Sequence, residues 1–560
     1  MNQINRGRWV RKLTLLTALF MLMAAIPGWA QTYQGINEFT ERSGLPNFYS
    51  KINNGETLRV AYIGGSITQQ DGYRVQTFDW FRNTYPSATF EHVVGAIGGT
   101  NSKFGVFRLH QDILVYEPDL VFVEFAVNDL GRPEAEIEKS MEGIVRQTWN
   151  LDPTTDIIFV YTARCSMLGN YQSGGMPSSV RAMEDVADYY NIPSVHLGLV
   201  PAQMEAEGRL VCSGSLPADP MSEPIVYTKD GVHPHEETGH VLYTEAVARA
   251  MEQMEDVTEP ATHAVPGTPM TQGRYETATT ALIDESMVSG LWHNITDTMA
   301  NIIKNYNCTA DLHTYRGYTS TSKIKADFTG TMIGIYCVAG PTAGRIEVSI
   351  DGGAPQTYYT FEKYSVVHRP YQIIFDEGLA PGDHHVEITV NTEPFDKRSI
   401  ITSSRRDRYD ADPAAFDYYY LNAVGLMVNG TVSSNMVYVD PSAASDGNGS
   451  EDTPFNTWES VVWEEGGSYL QKRGTTWNGS IAPPVGGSAD RSLRLGAYGT
   501  GTDPVVASSG AAALQLDGLG YVEVAGMALT ADGGAGIAGV NAHHLDLRDL
   551  VITGVTGDAV

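Results

Sequence analysis

Positive charge is what this sequence has least of. Its 560 residues hold 37 Lys and Arg against 66 Asp and Glu, a formal charge of −29. Such a field repels nucleic acid and anionic membrane surfaces, so neither is expected as a partner. An acidic polymer would have to be held by a local basic patch, and overall charge says little about the substrate. Cysteine is scarce too. The four present, Cys165, Cys212, Cys308 and Cys337, show no metal-ligand spacing, which argues against a zinc site. In an oxidising compartment they allow three pairings. Cys165 with Cys212 and Cys308 with Cys337 is the simplest, and buried thiols are the alternative.

Membrane-like apolar runs are confined to the N-terminus. Arg6, Arg8, Arg11 and Lys12 precede "LTLLTALFMLMAAI", and the small residues Gly28 and Ala30 stand before Gln31. This is the pattern of a secretory signal over residues 1–30, with no cysteine near the cut to take a lipid anchor. An uncleaved anchor helix is the alternative, but the run is short for a span. Cleavage removes four positive charges, taking the net charge from −29 to −33. A secreted or periplasmic chain with no integral membrane span is expected.

What remains is rich in glycine and tyrosine. The 57 Gly, 29 Tyr and 42% hydrophobic content fit globular modules, and the length suggests about three or four domains. Over residues 31–255, strands and helices alternate. "LRVAYI", "TFEHVVGAI", "PDLVFVEFAV", "TDIIFVYTA" and "IPSVHLG" read as buried parallel strands. Between them "EAEIEKSMEGIVRQTWN" and "SSVRAMEDVADYYN" have helical spacing. A last helix puts Val241, Leu242, Ala246, Val247, Ala250 and Met251 on one face. The pattern implies a parallel α/β sheet with its crevice at the carboxyl ends of the strands.

Residues 256–272, rich in Pro and Thr, read as a linker. Residues 273–431 carry short alternating strands without a long helix, which suggests a β-sandwich of jelly-roll type. Residues 432–560 contain a repeat: Val522, Val524, Met527 and Leu529 recur 23 residues later as Leu545, Leu547, Leu550 and Ile552. That period suits one coil of a parallel β-helix, with paired hairpins as the alternative. The pattern runs to Val560 without a polar cap, so a longer protein is expected, of which this is a part.

Candidate chemistry lies in the first of these regions. Ser66 follows "YIGG" at a strand end, where it is either a nucleophile or a turn residue. A serine hydroxyl needs a base. Asp230 and His233 in "TKDGVHPHEETGH" are three apart on a loop entering a helix, a spacing that lets the carboxylate reach Nδ1 and leaves Nε2 for a serine. His235 and His240 compete for that role; His240 sits inside the helix, and His235 lacks an acid at this spacing. An oxyanion needs donors. Gly99 in "GAIGGTNS" and Asn128 in "VEFAVNDLG" both emerge at strand ends, where turns and Asx caps are the ordinary alternatives. Asp129 reads as a loop organiser. Arg108 reads as a solvated helix residue, with substrate contact as the alternative.

Taken in order, "GGSIT", "GAIGGTNS", "FAVND" and "DGVHP" resemble the four blocks of the SGNH, or GDSL-type, hydrolase family. The resemblance covers about residues 58–254. It implies a flavodoxin-like three-layer fold and ester hydrolysis through an acyl-serine, with no metal or organic cofactor. It also implies an oxyanion hole of the Ser66 and Gly99 N–H groups with the Asn128 side chain. One departure stands out: Gly65 replaces the usual Asp before the serine. Gly64 and Gly65 would then let the backbone bend so that Ser66 faces the crevice.

The second region resembles carbohydrate-associated sandwich modules, and "YVDPSAASDGNGSEDTPFNTW" resembles the entry to right-handed β-helices of polysaccharide-active proteins. With export, these resemblances point to O-acylated, above all O-acetylated, polysaccharide as substrate. Tyr418, Tyr419 and Tyr420 are either sugar-stacking or strand residues. The competing expectations are polysaccharide lyase chemistry or glycan binding by the third region. Oligomeric state is not legible.

Overall fold

The computed structural model describes residues 32–560, apart from 274, 285, 297, 300–313, 433–435, 489–491 and 556–558. The N-terminal apolar segment and Cys308 lie outside the described residues. Among those described, no helix is long and apolar enough to cross a membrane.

The five expected apolar runs form β2 (Thr57–Gly64), β3 (Thr89–Ala96), β4 (Leu120–Glu124), β5 (Asp156–Tyr161) and β6 (Ser194–His196), joined at the edge by a two-residue β1 (Phe39–Thr40). The sheet order is β1-β6-β5-β4-β2-β3. β2 to β6 are parallel, and β1 runs antiparallel to β6. Every residue of β4 and β5 is buried, so both faces of the sheet are covered. That explains why these strands are continuously apolar instead of alternating.

The helices that position the site are α1 (Ser66–Gln69), α2 (Tyr73–Thr84), α3 (Ser102–Asp112), α4 (Glu134–Leu151), α5 (Cys165–Gln172), α6 (Ser178–Tyr190) and α7 (Gly239–Met254). They pack in groups, α3 on α4 on α6 and α2 on α7. All six apolar residues expected on one face of α7 are buried. Beside the main sheet, β7 (Leu210–Ser213) and β8 (Ile225–Thr228) form a parallel pair. Cys165 and Cys212 are disulfide-bonded, fastening the start of α5 to β7. Cys337 is a free thiol buried in a strand, and Cys308, its expected partner, lies outside the described residues. Burial in apolar surroundings pushes that thiol far above its ordinary pKa.

Residues 256–272 hold no helix or strand, yet they are fastened along the α/β region. His263 bonds Asp156 at 2.7 Å and stacks on Trp149, and the Met270 and Thr271 N–H groups donate to Glu142. The next region is a ten-stranded antiparallel system. Its central members are β9 (Lys323–Ala339), β10 (Arg345–Ile350), β11 (Arg369–Asp376), β12 (Gly382–Asn391) and β13 (Leu421–Val432). The long β9 pairs with β12 along its first half and with β11 along its second, while β13 lies on its other edge.

Alternation along β9 serves two cores. Ile333, Ile335 and Cys337 pack with β10, β12 and β13, whereas Met332, Tyr336 and Val338 join the core of the α/β region. The two regions therefore share an apolar interface centred on α3. Phe104 and Tyr336 meet edge to face with ring centroids 4.8 Å apart, and Thr280 Oγ1 donates to the Phe107 carbonyl at 2.9 Å. Lys103 pairs with Glu377, and Arg146 with Glu276.

The third region is built of parallel strands in sheets of five, four and two. The 23-residue repeat stacks in register: Val522 lies beside Leu545, Val524 beside Leu547 and Leu529 beside Ile552. Their inner neighbours Val506, Leu514, Met527 and Ile537 fill the core between the sheets.

Because Phe104 is buried in the shared interface, Phe104→Ala should cost about 3–5 kcal/mol. Calorimetry should show the transition of the ten-stranded region moving with that of the α/β region. A shift confined to one of them would mean that the interface does not couple them.

Candidate active site

Ser66 stands at the first position of α1, immediately after β2, and is partly exposed. The turn is crowded. A Cβ at Gly64 would lie 2.6 Å from Thr68 Oγ1 and 2.7 Å from the Glu124 carbonyl, and one at Gly65 would collide with the Asn128 side chain. Neither glycine has a positive φ; Gly65 is at φ −93°. These glycines give the turn room where the chain passes from β2 into α1, and they need no left-handed backbone angle to do so. In this chain any side chain at position 65 would need the volume that Asn128 occupies.

His233 lies on the loop between β8 and α7. Its Nε2 is 2.9 Å from Ser66 Oγ, and its Nδ1 is 2.8 Å from Asp230 Oδ2. Asp230 also accepts the N–H groups of Val232 and His233 through Oδ1. Partial burial raises the carboxyl pKa, but these N–H groups and the imidazole outweigh it and bring Asp230 down to about 2. The loop is fastened beside the disulfide, where the Cys165 N–H donates to the Gly231 carbonyl at 3.0 Å.

The competing histidines are engaged elsewhere. His235 Nε2 bonds the Gly214 carbonyl, and His240 is buried, with Nδ1 accepting the Tyr73 N–H at 3.0 Å. Burial lowers His240 to about 3, so it stays neutral.

The loop after β3 brings Gly98 and Gly99 beside Ser66. A Cβ at Gly98 would be 3.6 Å from the Ser66 Cβ, and the Gly98 N–H donates to Gln69 at 2.8 Å. Gly99 has φ +76°, a left-handed conformation that glycine adopts without strain. Ser66, Gly99, Asn128, Asp230 and His233 thus converge at one end of the parallel sheet. In this arrangement a hydroxyl faces an imidazole that a carboxylate orients, with backbone N–H groups and an amide nearby. Such a constellation can deprotonate an oxygen nucleophile and stabilise a developing oxyanion.

Arg108 differs from both expectations for it. It is fully buried, donates to the Gly95 carbonyl and to Asp112 Oδ2, and reaches Gly64 and Thr100 at 3.4 Å. It braces the ends of β2 and β3 from inside. Glu124 was not singled out from the sequence. It is buried beneath the Ser66 turn and accepts from Thr68 at 3.0 Å and Thr162 at 2.6 Å. A lone glutamate within the apolar run "LVFVEFAV" was the available signal, since an unpaired buried charge is costly. Asp129 does organise its loop, accepting the Ser102 N–H at the start of α3.

Residues 62–240 match the model of the GDSL-like Lipase/Acylhydrolase family. No curated protein matches the chain. Among solved structures, a two-domain esterase active on acetylated mannans superposes with a TM-score of 0.53 at 22% identity, covering 70% of this chain and 97% of that one. A structure of a two-domain esterase active on acetylated mannans, co-crystallised with mannopentaose, superposes with a TM-score of 0.52 at 22% identity, covering 68% of this chain and 93% of that one.

Burial pushes the Asp129 carboxyl up to about 7, against the hydrogen bonds from Ser102 and the nearby Arg132. An unfolded aspartate titrates near about 4, so the native state holds an extra proton between these values. The contribution is complete below about pH 4 and is lost as pH rises through 7. Asp129→Asn cannot ionise. Relative to wild type, its stability should therefore rise by on the order of a few kcal/mol between pH 4 and pH 8. Parallel pH–stability curves for the two proteins would refute the assignment.

The parallel sheet and the match agree, and residues 62–240 form a GDSL-like lipase/acylhydrolase domain.

Proposed function

We propose that the protein is an exported serine esterase that removes O-acyl groups, above all O-acetyl groups, from polysaccharides. The observation that carries this reading is the continuous chain from Ser66 Oγ through His233 to Asp230, with links of 2.9 and 2.8 Å, beside Gly99 and Asn128. Ser66 Oγ attacks the acyl carbonyl while His233 Nε2 takes its proton. Asp230 holds the imidazole in the tautomer that leaves Nε2 free and stabilises the imidazolium. The oxyanion is held by the Ser66 and Gly99 N–H groups and the Asn128 side chain. Collapse expels the sugar alcohol, which receives its proton from Nε2. Water then attacks the acyl-serine with the same base, releasing the acid and restoring the hydroxyl. Every proton is handled by His233, so the scheme needs no metal or organic cofactor.

The polysaccharide substrate is supported by the likeness to a two-domain esterase active on acetylated mannans. It is also supported by the two sheet-rich regions that follow the hydrolase domain. We read the ten-stranded antiparallel region as a jelly-roll sandwich. The stacked parallel strands with their 23-residue offset read as coils of a right-handed parallel β-helix. Export rests on the N-terminal segment, with its basic residues, apolar run and small residues before Gln31.

Acetate release from a panel of acetylated glycans tests the reading. Ser66→Ala should abolish release without changing the fold, and Asp230→Asn should lower kcat by about 10²–10⁴-fold. Equal release by wild type and Ser66→Ala would remove Ser66 from the mechanism.

A further inference from the structure

The oxyanion loop is walled by a side chain from outside the hydrolase domain. A Cβ at Gly99 would collide with Arg369 Nη2, and the guanidinium carbon would be 3.3 Å from it. Arg369 is the first residue of β11, in the sandwich. The contact is one of a registered series between β11 and the start of α3. Gln372 Nε2 donates to Asn101 Oδ1 at 3.2 Å, and Glu377 pairs with Lys103. Asn101 is the residue whose side chain caps α3, accepting the Phe104 N–H at 2.9 Å. Arg369 is therefore held at the site by the same interface that joins the two cores.

Its donors are largely unused. The side chain is 16% exposed, and its one ion pair, to Glu362, is 3.6 Å long. Among the described residues its guanidinium makes no hydrogen bond, although it lies over the Tyr364 ring at 5.4 Å. A guanidinium offers five N–H donors in a fixed fork, and those of Arg369 are available to acceptors that enter the site. A group that needs acceptors and stands next to Gly99 is suited to binding part of what enters the site.

Resting on the esterase reading above, we propose that Arg369 is a substrate-positioning residue that binds the sugar carrying the acyl group. Beside Glu362 it presents donors next to an acceptor, a pairing suited to the hydroxyl groups of a sugar. The sandwich then forms one wall of the esterase site. A small ester such as p-nitrophenyl acetate presents the same acyl group without the sugar, so Arg369 has nothing to hold on its leaving side.

The test compares wild type, Arg369→Ala, Arg369→Lys and Ser66→Ala in the full chain, on a chemically O-acetylated neutral oligosaccharide and on p-nitrophenyl acetate. For Arg369→Ala, the ratio of kcat/KM on the oligosaccharide to that on p-nitrophenyl acetate should fall about ten- to hundredfold, the loss appearing in KM. Arg369→Lys, which keeps the charge but not the fork, should recover part of it. An equal fall on both esters would make Arg369 a structural or oxyanion element and overturn the proposal, and an unchanged ratio would overturn it too. Activity retained in Ser66→Ala would sink the esterase mechanism instead, so the two failures are distinguishable.

Discussion

A Cβ at Gly65 would fall within the Asn128 side chain, and one at Gly64 would press on Thr68 and on the backbone of β4. Everything at the site depends on this packing of two strand ends against one turn. Because no side chain intervenes, the end of β4 can bring Asn128 up to Ser66, and α1 can begin at the serine itself. Beneath the turn, Glu124 holds Thr68 and Thr162, while Thr68 also meets the Tyr73 hydroxyl at 2.9 Å. Arg108 braces the same strand ends from inside. Burial raises the Glu124 carboxyl, and its hydrogen bonds work in the other direction. Such a satisfied polar network under the Ser66 turn fixes geometry in a way an apolar core cannot, because each partner accepts few alternative positions.

The second constraint is the shared interface of the hydrolase domain and the antiparallel region. One strand, β9, gives alternate residues to two cores, so that region cannot swing away without exposing Met332, Tyr336 and Val338 to water. That is unlike the contact of two tethered modules, which is usually small and polar. The consequence reaches the chemistry, since the strand that follows β9 in the sheet carries Arg369 to Gly99. The loop bearing His233 is held differently, by the Cys165–Cys212 bridge and the bond from Cys165 to Gly231.

Much of this was legible in the chain. The five apolar runs became the five parallel strands, and the helical spacings matched α4, α6 and α7. The 23-residue repeat became an in-register stack. The site residues were legible as types at spacings, because DxxH on a loop and a serine after a strand are local patterns. Arg108 was misread because one charged residue on a helix gives no sign of which face is buried. Of the two readings for Cys337, bridge or buried thiol, the sequence favoured neither, because two cysteines in one region say nothing about the distance between them.

By itself the sequence determined the order of strands and helices, the identity of the nucleophile, base and acid candidates, and the repeat of the third region. Each of these is written in spacings of a few residues, or of one coil, where periodicity and local backbone preference act. Only the tertiary structure decided that Gly65 is a matter of room, that Glu124 and Arg108 underpin the serine turn, and that β9 faces two cores. It alone placed Arg369 beside Gly99, 270 residues apart in the chain. Contacts of that kind arise when separate apolar faces are buried against one another, and no local pattern records which faces will meet.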